Sequence, residues 1–105
     1  MKRITYPAAC VLKAISRGKA FGFDIMEATG LPSGTVYPLL RRFEEAGLLR
    51  SKWESSKKAF NDARPRRRNY QLTRLGREAL VLAEERYRVH LTIFDTPGEE
   101  TGRSA

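Results

Sequence analysis

The chain has 105 residues, 41% of them apolar, which is one domain with a small core and leaves no room for a multidomain enzyme. Twenty Lys and Arg against twelve Asp and Glu leave a net charge of +8, a surplus that favours an anionic partner, most often nucleic acid. A single Cys10 excludes an internal disulfide, and with only one histidine beside it no structural zinc site is expected.

No apolar run reaches the roughly 18 residues of a membrane span, and Met1-Lys2-Arg3 leads into no signal-type apolar core. The expectation is a cytoplasmic protein without metal or cofactor. The first helical pattern runs from Thr5 to Arg17, where Ala8, Val11, Leu12 and Ile15 keep the i, i+3, i+4, i+7 spacing. Thr5 is placed to cap it, Pro7 falls in the first turn where its missing N–H costs little, and Gly18 ends it. Cys10 on this helix reads as an inert small side chain.

A shorter helix follows from about Gly22 to Thr29, anchored by Phe23, Ile25 and Met26, until Thr29-Gly30-Leu31-Pro32 breaks it. Ser33 is the expected N-cap of a third helix that reaches Ala46 and stops at Gly47. There Val36, Leu39, Leu40 and Phe43 form the core-facing stripe. At about 100° per residue the opposite face carries Gly34, Pro38 and Arg41, flanked by Thr35, Tyr37 and Arg42. Pro38 breaks a local rule, since a proline inside a helix costs ~3 kcal/mol, and a broken rule often marks a functional site. It is expected to shape the helix's first turns.

Leu48 to Glu54 and Asn69 to Thr73 read as two short antiparallel strands, with Trp53 and Tyr70 as strand-favouring aromatics. From Arg50 to Arg68 eight cations face only Glu54 and Asp62, so most of the net charge sits in this one stretch. A basic loop held between strands is a projecting arm suited to a phosphate backbone. Whether the long segment from Ser55 to Asn69 is ordered away from DNA stays open at this point. The last helix begins at Thr73 and continues to about Phe94, closed by Pro97-Gly98. It carries two apolar stripes, one of Leu75, Ala79, Leu82, Val89 and Ile93 and another of Leu80, Ala83, Tyr87, Leu91 and Phe94. Two stripes need two surfaces, which predicts a homodimer with Leu80, Ala83, Tyr87, Leu91 and Phe94 at its interface.

The fold class that follows is mainly α with a two-stranded β wing, a winged helix-turn-helix plus one long C-terminal helix. Residues 1–72 form the DNA-binding domain, residues 73–96 the dimerisation helix and residues 97–105 a flexible tail. In such folds the third helix enters the major groove and the wing lies along the backbone. Arg41 or Arg42 would reach guanine edges or phosphates, Tyr37 and Ser33 would bond phosphates, and Gly34 would let backbone approach backbone.

The run Gly18-Lys-Ala-Phe-Gly-Phe-Asp-Ile25 resembles the start of the second helix in PadR-type transcriptional regulators. More specific is the stretch from Leu31 to Leu49, whose Ser33-Gly-Thr-Val-Tyr-Pro-Leu39 is similar to that family's recognition-helix signature in slightly tightened spacing. Trp53 and the segment from Arg64 to Gly76 also fit, so the resemblance covers about residues 4 to 85. It implies a dimeric repressor on a palindromic operator, released in many members by a small effector, here placed at the dimer interface. By position, Ser33, Thr35, Tyr37 and Arg41 match the DNA-contacting part of the motif. Basic wing residues, Lys57, Lys58, Arg66, Arg67 and Arg68, match the family's backbone contacts more loosely. The wing is longer and more basic than the pattern, and the only tryptophan is Trp53. The last helix offers Tyr87, His90 and Phe94 in place of a ligand-stacking tryptophan, for which dimer core (Tyr87, Phe94) and a solvated histidine are the simpler readings.

Two other classes of function compete. Catalysis has no nucleophile–base pair, carboxylate dyad or phosphate loop to rest on, so no enzyme is expected. A winged helix that binds nucleic acid without sequence preference, or binds protein partners, would show the same arm and charge; base discrimination by Tyr37, Arg41 and Arg42 separates the two. A membrane-surface role fits least, because the cations cluster on a hairpin and not on one face of an amphipathic helix.

Overall fold

A computed structural model of the protein describes residues 3–88. Helix α1 (Tyr6–Ser16) starts where the Thr5 hydroxyl accepts the Ala8 amide at 3.4 Å, with Pro7 in the first turn. Every residue from Ala8 to Ile15 is buried. Ala8, Val11, Leu12 and Ile15 belong to the main core, whereas Ala9 and Cys10 form a second, smaller apolar contact with Ala83. Burial pushes the Cys10 thiol up from its ordinary value.

Helix α2 (Gly22–Thr29) ends at Gly30, which adopts φ 75 and returns its amide to the Met26 carbonyl at 2.8 Å. Helix α3 (Ser33–Glu45) follows after three residues and buries the expected stripe of Val36, Leu39, Leu40 and Phe43. Leu12, Ile25, Leu40 and Phe43 are among the large side chains with essentially no exposure, each contributing roughly 1.5–3 kcal/mol of burial. One expectation is corrected at the start of α3. Ser33 is already helical, and Pro32 occupies the cap position with no side-chain bond.

Strands β1 (Leu49–Trp53) and β2 (Arg68–Leu72) pair antiparallel, from Leu49 opposite Leu72 to Trp53 opposite Arg68. Their shared inner face grades from buried Leu49 and Tyr70 at the base to exposed Trp53 and Arg68 at the tip. The segment between them is folded. Ser55 caps a short helix, α4 (Ser56–Asn61), by accepting the Lys58 amide at 3.1 Å. The helix closes with Arg64 N–H on the Ala59 carbonyl and Ala63 N–H on Phe60, which forces Ala63 to φ 56.

Helix α5 (Arg74–Arg86) is clasped to the start of the wing through Thr73. The Thr73 hydroxyl donates to the Gly47 carbonyl at 2.6 Å and accepts the Gly76 amide at 3.1 Å, while the Thr73 amide donates to Leu48 at 3.0 Å. Gly76 makes the approach feasible, since a Cβ there would lie 2.0 Å from the Leu48 carbonyl oxygen.

Leu80, Ala83 and Tyr87, expected at a subunit interface, are engaged within the chain. Leu80 and Ala83 are buried within the chain, and α5 packs on α1. The Tyr87 hydroxyl donates to the Ile4 carbonyl at 3.0 Å, and its ring meets Tyr6 edge-on with centroids 5.3 Å apart. Lys13, buried on α1, pairs with Glu84 at 2.6 Å. Periodicity reveals two stripes, but the small side chains of α1 decide which one the chain keeps. Leu75 and Leu82 of the other stripe are 56% and 69% exposed. Leu91 and Phe94, with Val89, His90 and Ile93, lie outside the described residues. Among the described residues no helix is long and apolar enough to cross a membrane.

The glycine contacts make a paired prediction. Gly76→Ala should lose about 2–3 kcal/mol of stability, a drop of roughly 10 °C or more in Tm by thermal circular dichroism. Gly34→Ala, where a Cβ meets nothing within 4 Å, should instead gain roughly 0.5–1 kcal/mol from higher helix propensity.

Candidate nucleic-acid interface

With its apolar stripe committed to the core, α3 turns Ser33, Gly34, Tyr37, Arg41 and Arg42 outward as exposed residues, with Thr35 half-buried beside them. The Ser33 hydroxyl is not consumed as a cap and stays available to an external acceptor or donor. Pro38 lies inside the helix and has no N–H to offer the carbonyl four residues earlier, which belongs to Gly34. The exposed first turn therefore carries a backbone acceptor lacking its usual intrahelical partner and no side chain to cover it.

Tyr37 is half-exposed because its ring lies on α2. A Cβ at Gly22 would be 2.3 Å from the Tyr37 hydroxyl oxygen, so glycine lets the phenol sit against the first turn of α2. This contact fixes the two helices of the reading unit together. Beyond it opens a cleft of about 400 Å³ between α2, α3 and the wing, lined by Phe21, Tyr37, Trp53, Arg68 and Tyr70. Burial holds the Tyr70 phenol above its ordinary pKa.

The wing cations fall into two groups. Glu54, its side chain only 6% exposed, receives Arg64 through both guanidinium nitrogens at 2.5 and 3.0 Å. It also accepts the Arg67 amide at 3.1 Å and the Arg67 guanidinium at 3.2 Å. Arg67 lies over the Phe21 ring at 3.9 Å from its centroid. Arg68 donates to Ser51 at 3.0 Å and stands 3.6 Å from Glu44, to which the Ser51 hydroxyl donates at 2.6 Å. This chain ties the last turn of α3 to the wing. Arg66 donates to the Glu54 backbone carbonyl and stands over Trp53 at 5.4 Å, while Lys58 pairs with Asp62 at 3.5 Å.

Arg41, Arg42 and Lys57 make no ion pair among the described residues. Arg67 and Arg68, expected among the backbone contacts, brace the wing against α2 and α3. The fold brings α3's outer face and the wing together on either side of one cleft, two positively charged surfaces that suit a duplex.

The family model for transcriptional regulators of the PadR-like family matches residues 11–82, from the middle of α1 through most of α5. The chain belongs to the PadR-like family. It is a DNA-binding transcription regulator. A search of curated proteins returned no match. Among solved structures, a PadR family regulator from Clostridium difficile is 21% identical and superposes with a TM-score of 0.69, over 87% of this chain and 96% of its own. A PadR-like transcription factor from Bacteroides fragilis is 25% identical with a TM-score of 0.64, over 84% and 85% of the two chains. A Bordetella bronchiseptica regulator whose DNA binding is regulated by 6-hydroxynicotinic acid is 21% identical with a TM-score of 0.63, over 91% and 67%.

In this PadR-like chain the sequence reading missed Gly22, Glu44, Ser51, Glu54 and Arg64 as members of the site. Their partners are distant in sequence or, for Glu54, hidden in a run where cations dominate. A lone carboxylate amid arginines was the available signal for Glu54.

The clamp makes the wing acid-sensitive in a defined range. Hydrogen bonds from Arg64, then Arg67 and its backbone amide, lower the Glu54 carboxyl to about 2 from 4.5. The folded state thus holds fewer protons than the unfolded chain between these values. The clamp's stabilisation is full above about pH 4.5 and is lost as pH falls toward 2. Protection of the Arg67 amide, relative to the intrinsic exchange rate at each pH, should hold at pH 4 and fall toward pH 2 in wild type, while Glu54→Gln should give little protection at either. Equal exchange in both proteins would remove Glu54 from the wing's support.

Proposed function

We propose that this PadR-like protein is a repressor acting as a homodimer on a palindromic operator, with α3 of each subunit in a major groove and the wings on the flanking backbone. The observation that carries this reading is the pair Arg41 and Arg42. Both are exposed on the face of α3 opposite its buried stripe and make no ion pair, although carboxylates neutralise most wing arginines nearby. Guanidinium groups left free on a helix that faces outward suit guanine edges and phosphates. Ser33, Gly34, Thr35 and Tyr37 lie on the preceding turns, and Lys57, Lys58 and Arg66 supply backbone contacts from a wing that Arg67 and Arg68 position beside them.

The proposed dimer contact is the stripe of Leu75 and Leu82, seven residues apart on the outer side of α5. Beside Leu82 runs a groove of about 360 Å³ bordered by Arg3, Ile4, Leu48, Ala79 and Arg86, within the usual range for small ligands. A small effector at this dimer surface would release DNA by changing how the two reading heads are spaced. The Bordetella bronchiseptica regulator supports an effector here by analogy, as does a Streptomyces coelicolor regulator solved with its natural ligand.

Fluorescence anisotropy on duplexes tiled across the gene's upstream region, against a scrambled duplex, tests the reading. One tile should bind orders of magnitude more tightly than the scramble. Arg41→Ala should reduce that preference by ~1–3 kcal/mol if the guanidinium meets a base. Equal, salt-sensitive binding to every duplex would favour an architectural role instead. For the dimer, Leu82→Glu should give a folded monomer by sedimentation, whereas Leu80→Glu should unfold the chain. A Leu82→Glu protein that stays dimeric would displace the interface from this stripe.

A further inference from the structure

Phe60 is 84% exposed, the most exposed large apolar side chain among the described residues. It is not on a loose loop. Its helix α4 is capped by Ser55, sealed by the Arg64 and Ala63 amides, and pinned through buried Ala59 and the Arg64–Glu54 pair. The fold therefore builds a capped, helical tip and leaves its aromatic ring in water.

The charge around the ring is asymmetric. Three residues apart on one helix, Lys57 and Phe60 are neighbours on the side away from Ala59. Lys58 lies on the other flank and is held by Asp62, while Lys57 has no ion pair among the described residues. A free cation thus accompanies the exposed ring. Five cations between Glu54 and Arg67 outnumber the two carboxylates, and both carboxylates are already paired, so the tip's surface is positive.

We propose that this tip docks on the minor groove of duplex DNA, with Phe60 wedged at a base step and Lys57 on a phosphate. The proposal rests on the DNA-binding reading above and adds a contact which that reading does not require. A polyanion is the occupant that a positive surface selects, and an apolar wedge ringed by cations is the chemistry by which proteins open the minor groove. Size sets the geometry. A helix of about 10 Å diameter cannot enter a groove about 6 Å wide, so the helix body stays on the sugar–phosphate rims and only the ring goes in. Inserting it unstacks a step and bends the duplex, which makes bending the diagnostic readout.

The test uses the full chain with a mixed-sequence duplex of about 30 base pairs, labelled at both ends for energy transfer. Affinity, bend and salt slope are measured together, with circular dichroism checking the fold and sedimentation the assembly. Phe60→Ala should bind about tenfold more weakly, lose the bend and keep the salt slope, while Phe60→Trp should keep both affinity and bend. Lys57→Ala should keep the bend and flatten the slope by about one counterion. Wild-type affinity and bend in Phe60→Ala would overturn the wedge and leave DNA binding standing. A changed assembly state with unchanged DNA binding would assign the ring to a second copy and overturn it as well. A wild-type protein that binds no duplex would remove both readings at once.

Discussion

The structure depends on the enclosure of α1 on every side from Ala8 to Ile15. A helix with a polar back would leave α5 nothing to cover, but here Ala9 and Cys10 continue the apolar surface around the helix, and Lys13 is neutralised by Glu84. Small side chains on that second face let α5 approach closely, and α5 then spends Leu80, Ala83 and Tyr87 inside the chain. Everything outward follows from this commitment. The other stripe of α5 faces water, α2 and α3 are held on the first face of α1, and the wing is anchored where Thr73 and Gly76 bind the start of β1.

The second organising force is a division of labour among cations. A cluster of arginines would repel itself and keep the wing extended, were it not for Glu54. One shielded carboxylate gathers Arg64 and Arg67, and the Glu44–Ser51 pair takes Arg68. The charges so used become braces between wing and helices. Those left over, among them Arg41, Arg42, Arg50, Lys52 and Lys57, sit on outer surfaces and make no ion pair among the described residues. Removing a brace and removing a free cation are therefore different experiments, the first altering shape and the second altering charge alone.

The reading helix shows how local penalties are accommodated. Pro38 costs α3 a hydrogen bond, and the carbonyl that loses it belongs to Gly34 in the exposed first turn. Tyr37, immediately before the proline, lies against Gly22 on a different helix. The motif's glycine, tyrosine and proline thus lie together on the surface that faces DNA in the proposed complex, the tyrosine alone tied to α2.

Much was determined by the sequence alone. The apolar spacing placed α3 with its buried stripe, because a 3.6-residue period has one solution when a single face is apolar, and it placed α1 with one of its two buried faces. The order of helices, strands and final helix was likewise legible, as was the basic wing and, through the motif from Ser33 to Leu39, the family. Three things were decided only by tertiary structure. Which stripe of α5 stays inside depends on the small residues of α1, more than sixty positions away. The helix α4 is too short for periodicity to reveal and is held by caps and by Glu54. The separation of braced from free arginines depends on which carboxylates the fold brings near, and composition counts charges without locating their partners.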